Sequence, residues 1–443
     1  VTTGNEVRGS GRLLRLFSGA VAGQVVLSGT SFIVGLLLIR YTGDADYATY
    51  ILAQASIGLL VTAQSAWVSG PLSVVAAKRD PEARRRMAGA VSESLRRFTL
   101  WVALASVIVP VVAWAIGASS ALMAAVSALT IGAGWLSLRR DYFRNLLQLY
   151  ARARGLVSTD VVSSLGLVGF AVLAAFGPFQ ADLVVITGLG LSAWIGGLQA
   201  RRLLRRDPGL IDDGKARQYW QQMRSYAFWG TTGALIYWVF SQSYNYVLAA
   251  RIDLAAVADV NATRLLLMPT IVMTTGVRGL LIPMAARWLV EVGLDRLLKR
   301  LMAFAAALAV LHLGYVAVLW LGRDWVTGTL MKTEIADRDQ LLLLWAAIAL
   351  IGVLRETSVA AVLALEKFRV MAYFTGASAV VSLALMWFGL PYWGAAAALI
   401  GQVAGELVGL ACVAVLLIRA DRHPPPPLLS PPESSLMTPP PEI

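Results

Sequence analysis

The sequence predicts an all-α polytopic membrane protein of twelve transmembrane helices in two six-helix lobes, with both termini cytoplasmic. Three observations carry this expectation. Apolar runs at 16–39, 50–76, 98–117, 120–146, 157–177, 181–200, 226–250, 257–284, 301–321, 340–363, 369–389 and 394–418 each exceed the roughly 17–20 residues that cross a bilayer as a helix. The 38 Lys and Arg residues alternate sides: 30 lie in the N-terminal segment, the even-numbered connections and the C-terminal flank, five in the odd-numbered connections and three inside runs. The crowded side is cytoplasmic by the positive-inside rule. Finally, landmarks of the first half recur in the second at a nearly constant offset.

Composition narrows the function classes. Hydrophobic residues make up 58% of the 443-residue chain and mean hydropathy is +0.67, beyond the range of soluble domains. The net charge of +12 is confined to cytoplasmic connections, where topology and anionic lipid account for it. No groove-reading motif accompanies it, so no nucleic-acid partner is expected. A single cysteine, Cys412, excludes an intrachain disulfide. The first run is long, has a basic flank and lacks an A-x-A site, so it is expected to remain as a helix rather than be cleaved.

Taken in order, residues 1–15 read as a cytoplasmic N-terminus and 16–200 as an N-lobe of six spans. Residues 201–225 read as a cytoplasmic linker, with an amphipathic surface helix expected around Lys215–Met223. Residues 226–418 form a C-lobe of six spans. The outer connections are short, and the longest is about Gly322–Asp339. Residues 419–443 hold nine of the 17 prolines, a density that favours an extended, disordered tail.

The internal repeat rests on spacing. Arg40 and Arg251, each ending the first span of its half, differ by 211 positions, and Pro71 and Pro283 by 212. Arg140-Asp141 and Arg355-Glu356 differ by 215, as do Arg152/Arg154 and Lys367/Arg369. Two even-numbered units enter the membrane the same way, so a pseudo-two-fold along the membrane normal relates them and a cleft lies between. There is no G-x-x-x-x-G-K-[ST] and no H-E-x-x-H, and the two histidines, His312 and His423, make no metal cluster. No cofactor is expected, and His312 reads as structural.

Charges inside the membrane need water or a partner. Arg264 and Arg278 lie 14 residues apart in the eighth run, about four turns on a straight helix. Asn261 and Thr275 share that face, giving a cationic stripe of Asn261, Arg264, Met268, Thr275 and Arg278. Arg264 is the deep member; Arg278 fits either the lumen or a snorkelling end. Arg355 and Glu356 are adjacent and point about 100° apart, leaving open a cleft-facing Arg355 or an ion pair to another helix. With Arg139 and Arg140, Arg355 is expected to make the inner mouth positive. Glu406, with Gln402 a turn earlier, is the deepest acid, either a helix contact or, with Glu356, a proton- or sodium-coupling site. Gln24, Ser28, Ser31 and Gly35 line one face of the first span, and Tyr237, Ser241, Tyr244 and Asn245 one face of the seventh, flanked by Trp238, Gln242 and Tyr246. Amides and hydroxyls beside aromatic rings suit carbohydrate, and they suit helix packing equally.

Three stretches carry a family resemblance: FSGAVAGQVVLSGTSFIVGLLLIRYTGDADYATYILAQ at 17–54, YFRNLLQLYARARGLVSTDVV at 142–162, and the region from Tyr219 to Arg287 that includes NATRLLLMP. They resemble the Wzx-type polysaccharide flippases of the MOP superfamily, which also holds MATE exporters and MurJ-type lipid II flippases. The resemblance covers roughly residues 10–420. It implies two six-helix lobes with a cationic cavity that opens alternately to each side. It also implies movement of an undecaprenyl-pyrophosphate-linked oligosaccharide across a bacterial plasma membrane, alongside the polymerase and glycosyltransferases of the same pathway. Arg40 and Arg264 match the family's arginines at the end of the first span and within the "raxnLL-P" stretch. The residues implied to meet substrate are Arg40, Arg264, Arg278, Arg355, Asn261, Gln24, Tyr237, Tyr244 and Asn245. Two departures stand out: Ala48 replaces the usual Gly after the turn tyrosine, and twelve spans rather than fourteen argue against lipid II. Two rivals remain: a MATE-like exporter, which would want an acidic lumen, and a membrane glycosyltransferase holding a metal on Asp44 and Asp46.

Overall fold

The computed structural model describes the backbone of residues 3–422, apart from 78, 151, 207–208, 332–333 and 366. Side chains are described from Ala22 to Ala420, except at those positions and at 77, 225, 275–280, 283, 368 and 369. Every regular element among the described residues is helical. The first lobe comprises α1 (Thr3–Tyr41), α2 (Asp44–Gln64), which continues through a π turn (Ser65–Ser69) into α3 (Gly70–Ala77), α4 (Pro81–Ala115), α5 (Ala121–Leu149), α6 (Ala153–Phe176) and α7 (Ala181–Arg206). The second comprises α8 (Ala216–Arg251), α9 (Leu254–Leu266), α10 (Met268–Leu321), a short outer turn α11 (Arg323–Trp325), α12 (Arg338–Ala364), α13 (Phe368–Trp393) and α14 (Ala396–Arg422). A break at Gly293, with φ of 77°, divides α10 into two helices.

Among the described residues, ten helices are long and apolar enough to cross a membrane, or eleven if the bent pair α9 and Met268–Thr274 is one span. The helix that fails is α8. At 36 residues it is longer than a bilayer needs, and what it lacks is apolarity. Of its polar residues, Tyr244 and Asn245 are buried and Tyr237, Ser241 and Gln242 line a cavity, while Gln218, Gln221, Gln222 and Tyr226 are exposed. Elsewhere large apolar side chains point outward, among them Trp101 at 71% exposure, Ile116 at 73% and Phe388 at 72%. Such a shell would be costly in water and is free in hydrocarbon. The chain is a multi-pass membrane protein.

Packing repeats between the halves. In the first, α1 lies on α6, α5 on α7, α6 on α7, and α5 also touches α2 and α4. In the second, α8 lies on α13, α12 on α14, α13 on α14, and α12 also touches α9 and α10. The same relation appears at atomic scale. Gly196 of α7 abuts Ser163 and Arg140, and Gly409 of α14 abuts Ser378 and Arg355; an added Cβ would meet the serine hydroxyls at 2.0 and 2.9 Å. These trios are offset by 215, 215 and 213 positions, and only Gly leaves room for the arginine and serine beside it.

Several expectations change. The N-terminal segment continues α1 back to Thr3. Residues 209–215 are irregular, and Ala216–Met223 is the first two turns of α8 rather than a separate surface helix. Tyr219 and Met223 bury there against α3, α4 and α5 of the first lobe. The outer stretch after α10 folds into α11 and a π turn, Val326–Met331. Its two described arginines are neutralised locally: Arg338 pairs with Asp324 and Asp339 at 2.8 Å, and Arg323 with Asp339 at 3.3 Å. The proline-rich tail lies outside the described residues.

Candidate functional site

The eighth run bends because its sequence forbids a straight helix. Pro269 has no N–H, and its ring collides with the carbonyl four residues back, here that of Leu265. The chain turns by 62° between α9 and α10. Carbonyls at the bend take side-chain donors: Tyr315 donates to Leu266 at 2.6 Å and Thr270 to Leu267 at 2.8 Å. The straight cationic stripe is therefore broken. Arg264 sits in the last turn of α9, where the carbonyl end of the helix favours a cation. The Arg278 side chain lies outside the described residues.

Two adjoining cavities, of about 380 and 160 Å³, lie against this bend. The larger is walled by α1 and α2 of one lobe and by α8, α9 and the start of α10 of the other. The smaller lies within the second lobe, walled by α8, α12 and α14. Arg264, Tyr237, Ser241 and Ile271 line both. Arg264 is partly buried and pairs with no carboxylate of the described residues. Its Nη1 donates to the Tyr244 hydroxyl at 3.3 Å, and its guanidinium lies 5.5 Å from the Trp345 ring centroid. Trp345 is itself fixed by donating to the Val260 carbonyl at 2.9 Å and by an edge contact to Tyr244. The cation is held by neutral groups and keeps its charge for the cavity.

Behind it runs a buried polar chain. Tyr244 donates to Asn261 Oδ1 at 3.1 Å, Asn261 Nδ2 to Asn245 Oδ1 at 2.7 Å, and Asn245 Nδ2 to Gln242 Oε1 at 3.2 Å. Asn261 and Gln242 line the larger cavity, while Tyr244 and Asn245 support them from inside. Trp238 and Tyr50 also line it, and the Trp238 Nε1 and Tyr50 hydroxyl have no partner.

The smaller cavity is not a positive mouth. Arg355 meets Glu406 at 2.7 Å and Glu356 at 3.0 Å, so two carboxylates surround one guanidinium. Adjacent Arg355 and Glu356 do bond despite their angular separation, and α14 supplies the second acid. Gln402 donates to the Phe240 carbonyl at 2.7 Å, tying α14 to α8. Arg140 is also removed from the mouth. It packs inside the first lobe against Asp160, whose fully buried carboxylate takes Arg144 at 2.8 and 3.0 Å and Arg140 at 3.4 Å.

Other candidates lie elsewhere. Arg40 donates to the Thr329 and Leu330 carbonyls at 3.2 and 3.0 Å, strapping α1 to the outer turn of the second lobe instead of lining either cavity. Gln24 is exposed, bonds to Ser28 at 3.3 Å and lines neither cavity. Buried His312 bonds the Ala346 carbonyl at 3.0 Å, joining α10 to α12. Asp46 accepts the Gly43 N–H at 3.3 Å and caps α2, and no metal-sized acidic or His/Cys cluster occurs among the described residues. Sequence reasoning placed Gln242 and Trp238 only as flanking residues and missed Asp160 and Trp345; a carboxylate in an otherwise apolar span is the signal that Asp160 offered.

The fold and its polar cavity define a multi-pass membrane protein of two helical bundles around a central chamber. Solved transporters of the MOP superfamily share this fold. It is similar to an inward-facing MATE multidrug resistance transporter (TM-score 0.72, 13% identity, covering 91% of this chain and 96% of that one). It is also similar to the lipid II flippase MurJ in an inward closed conformation (TM-score 0.71, 9% identity, 91% and 87%). A third is a MOP superfamily transporter from Pyrococcus furiosus, described as having a binding pocket of reverse polarity (TM-score 0.66, 13% identity, 93% and 96%). No family model and no curated relative matches the sequence.

Proposed function

We propose that this protein is a flippase that moves a polyprenyl-pyrophosphate-linked oligosaccharide from the cytoplasmic to the outer leaflet of a bacterial plasma membrane. It would act beside the polymerase and glycosyltransferases that make and extend the glycan. The carrying observation is Arg264, a guanidinium between the lobes that pairs with no carboxylate of the described residues. Charge-assisted contacts from such an arginine to phosphate oxygens are strong in a desolvated site. The lining amides and hydroxyls of Gln54, Ser31, Ser241 and Gln242 suit a hydroxyl-rich glycan, and the prenyl chain stays in lipid. Transport needs no covalent chemistry.

An exporter of cationic compounds is the weaker reading. The acids near the chamber, Glu356 and Glu406, both engage Arg355, and the Pyrococcus furiosus neighbour is likewise described by a reversed pocket polarity. Within the flippase reading, Glu406 and Glu356 are the candidate proton- or sodium-coupling groups, since a proton on either acid would loosen Arg355. The test is Arg264→Ala in a strain dependent on this gene. Surface glycan should be lost at unchanged membrane abundance, and undiminished display would overturn the reading.

A further inference from the structure

The buried polar chain behind the cavity has a fixed direction. Asn261 Nδ2 donates to the Val257 backbone carbonyl at 2.8 Å, and a carbonyl accepts only, so the amide cannot turn over. Its Oδ1 must then face Tyr244, and its second N–H must face an acceptor, Oδ1 of Asn245. Asn245 is thereby oriented too and gives its N–H to Gln242 Oε1. At the other end, the Tyr244 hydroxyl spends its proton on Asn261 and accepts from Arg264. Every bond runs the same way, from Arg264 through Tyr244, Asn261 and Asn245 to Gln242.

Both end residues of this chain are left with donors to offer. Arg264 shows its remaining N–H groups to the cavity. Gln242, with its oxygen engaged, shows its amide NH2. Trp238, whose buried Nε1 only donates and has no partner, lines the same wall, as does Tyr50, itself 1% exposed, with its hydroxyl likewise buried and unpartnered. Sequence alone offers Gln242 as an ambivalent amide; the Val257 carbonyl, acting through Asn261 and Asn245, makes it a donor.

We propose that Gln242 and Trp238 form a second, uncharged oxyanion subsite that takes the distal phosphoryl oxygens of a diphosphate whose other phosphoryl group meets Arg264. This rests on the anionic-headgroup reading of the cavity and adds a discrimination to it: the chamber prefers a diphosphate to a monophosphate on the same prenyl chain. Uncharged donors hold the second group without trapping it, which suits a site that must release its cargo.

Binding of a short polyprenyl diphosphate and of its monophosphate to the purified full-length protein in nanodiscs tests this. Gln242→Met should weaken diphosphate binding about tenfold, as loss of a hydrogen bond to a charged group does, with monophosphate binding unchanged. Gln242→Glu keeps the acceptor for Asn245 and turns a carboxylate oxygen to the ligand, so the loss should be larger. Trp238→Phe keeps the ring without the N–H and should reproduce the selective loss, a check independent of any folding defect at Gln242. Equal losses for both ligands, or none, overturn the subsite and leave the flippase reading standing. Failure of the unmodified protein to bind either ligand overturns both.

Discussion

Arg264 and Arg355 show how one residue type serves opposite ends within one lobe. Arg264 leans on a tryptophan face and a tyrosine oxygen, so its charge stays available. Arg355 is surrounded by Glu356 and Glu406 and contributes no net positive charge to its cavity. The first-lobe counterpart, Arg140, shares a buried carboxylate with Arg144. Removing Asp160 leaves two guanidinium groups without their counter-charge, and breaking such buried pairs typically costs about 3–5 kcal/mol. Asp160→Leu should therefore lower the melting temperature sharply in detergent while leaving the cavity lining in place; an unchanged melting curve would contradict this role. Arg264 was legible because a cation in an apolar run has few explanations. Asp160 was obscured by its cluster of cytoplasmic arginines, which counted toward topology when two of them were spent inside the lobe.

At the scale of elements, the bend at Leu267 decides what the eighth run does. A straight helix would align Arg264 with Arg278; Pro269 ends α9 instead and presents Arg264 from a helix terminus. Pro269→Ala restores a backbone donor toward the Leu265 carbonyl and removes the ring clash. The protein should melt no lower than the parent, and glycan display should fall because Arg264 is re-aimed. Lower stability with full display would refute the assignment. Pro269 is plain in the sequence, and a stripe through Arg264 and Arg278 requires an ideal helix across it. The capping of the bend by Tyr315, 49 residues on, has no local signature. The first turns of α8 make the same point: their amphipathic pattern signalled a surface, and the surface they cover is the first lobe.

For the whole molecule, the two bundles meet through α2 with α8 and α9, and α1 with α9 and α10. Arg40 ties α1 to the turn after α10 by two carbonyls. This strap joins the two lobes at that end, and with the positive-inside orientation it is expected to resist outward opening. Replacing Arg40 with Met should raise the population opened outward. In a Cys412→Ala background, a cysteine placed at cavity-lining Ser31 should react faster with a membrane-impermeant maleimide from the outer face after that change. An equal rate with and without Arg40 would dismiss the strap.

Sequence by itself determined the membrane class, the helical content and the internal repeat, because these follow from runs of apolar residues and the placement of cations, properties additive along the chain. It also picked out Arg264, since the cost of charge in hydrocarbon is local. Tertiary structure decided which charges are neutralised, where the eighth run bends and which way the amide chain points. Those depend on groups brought together from distant helices: Glu406 on Arg355, Tyr315 on Leu266, Trp345 on Arg264. An ion pair or an oriented amide is set by its partner's position in space, and no spacing in one strand of sequence specifies that position.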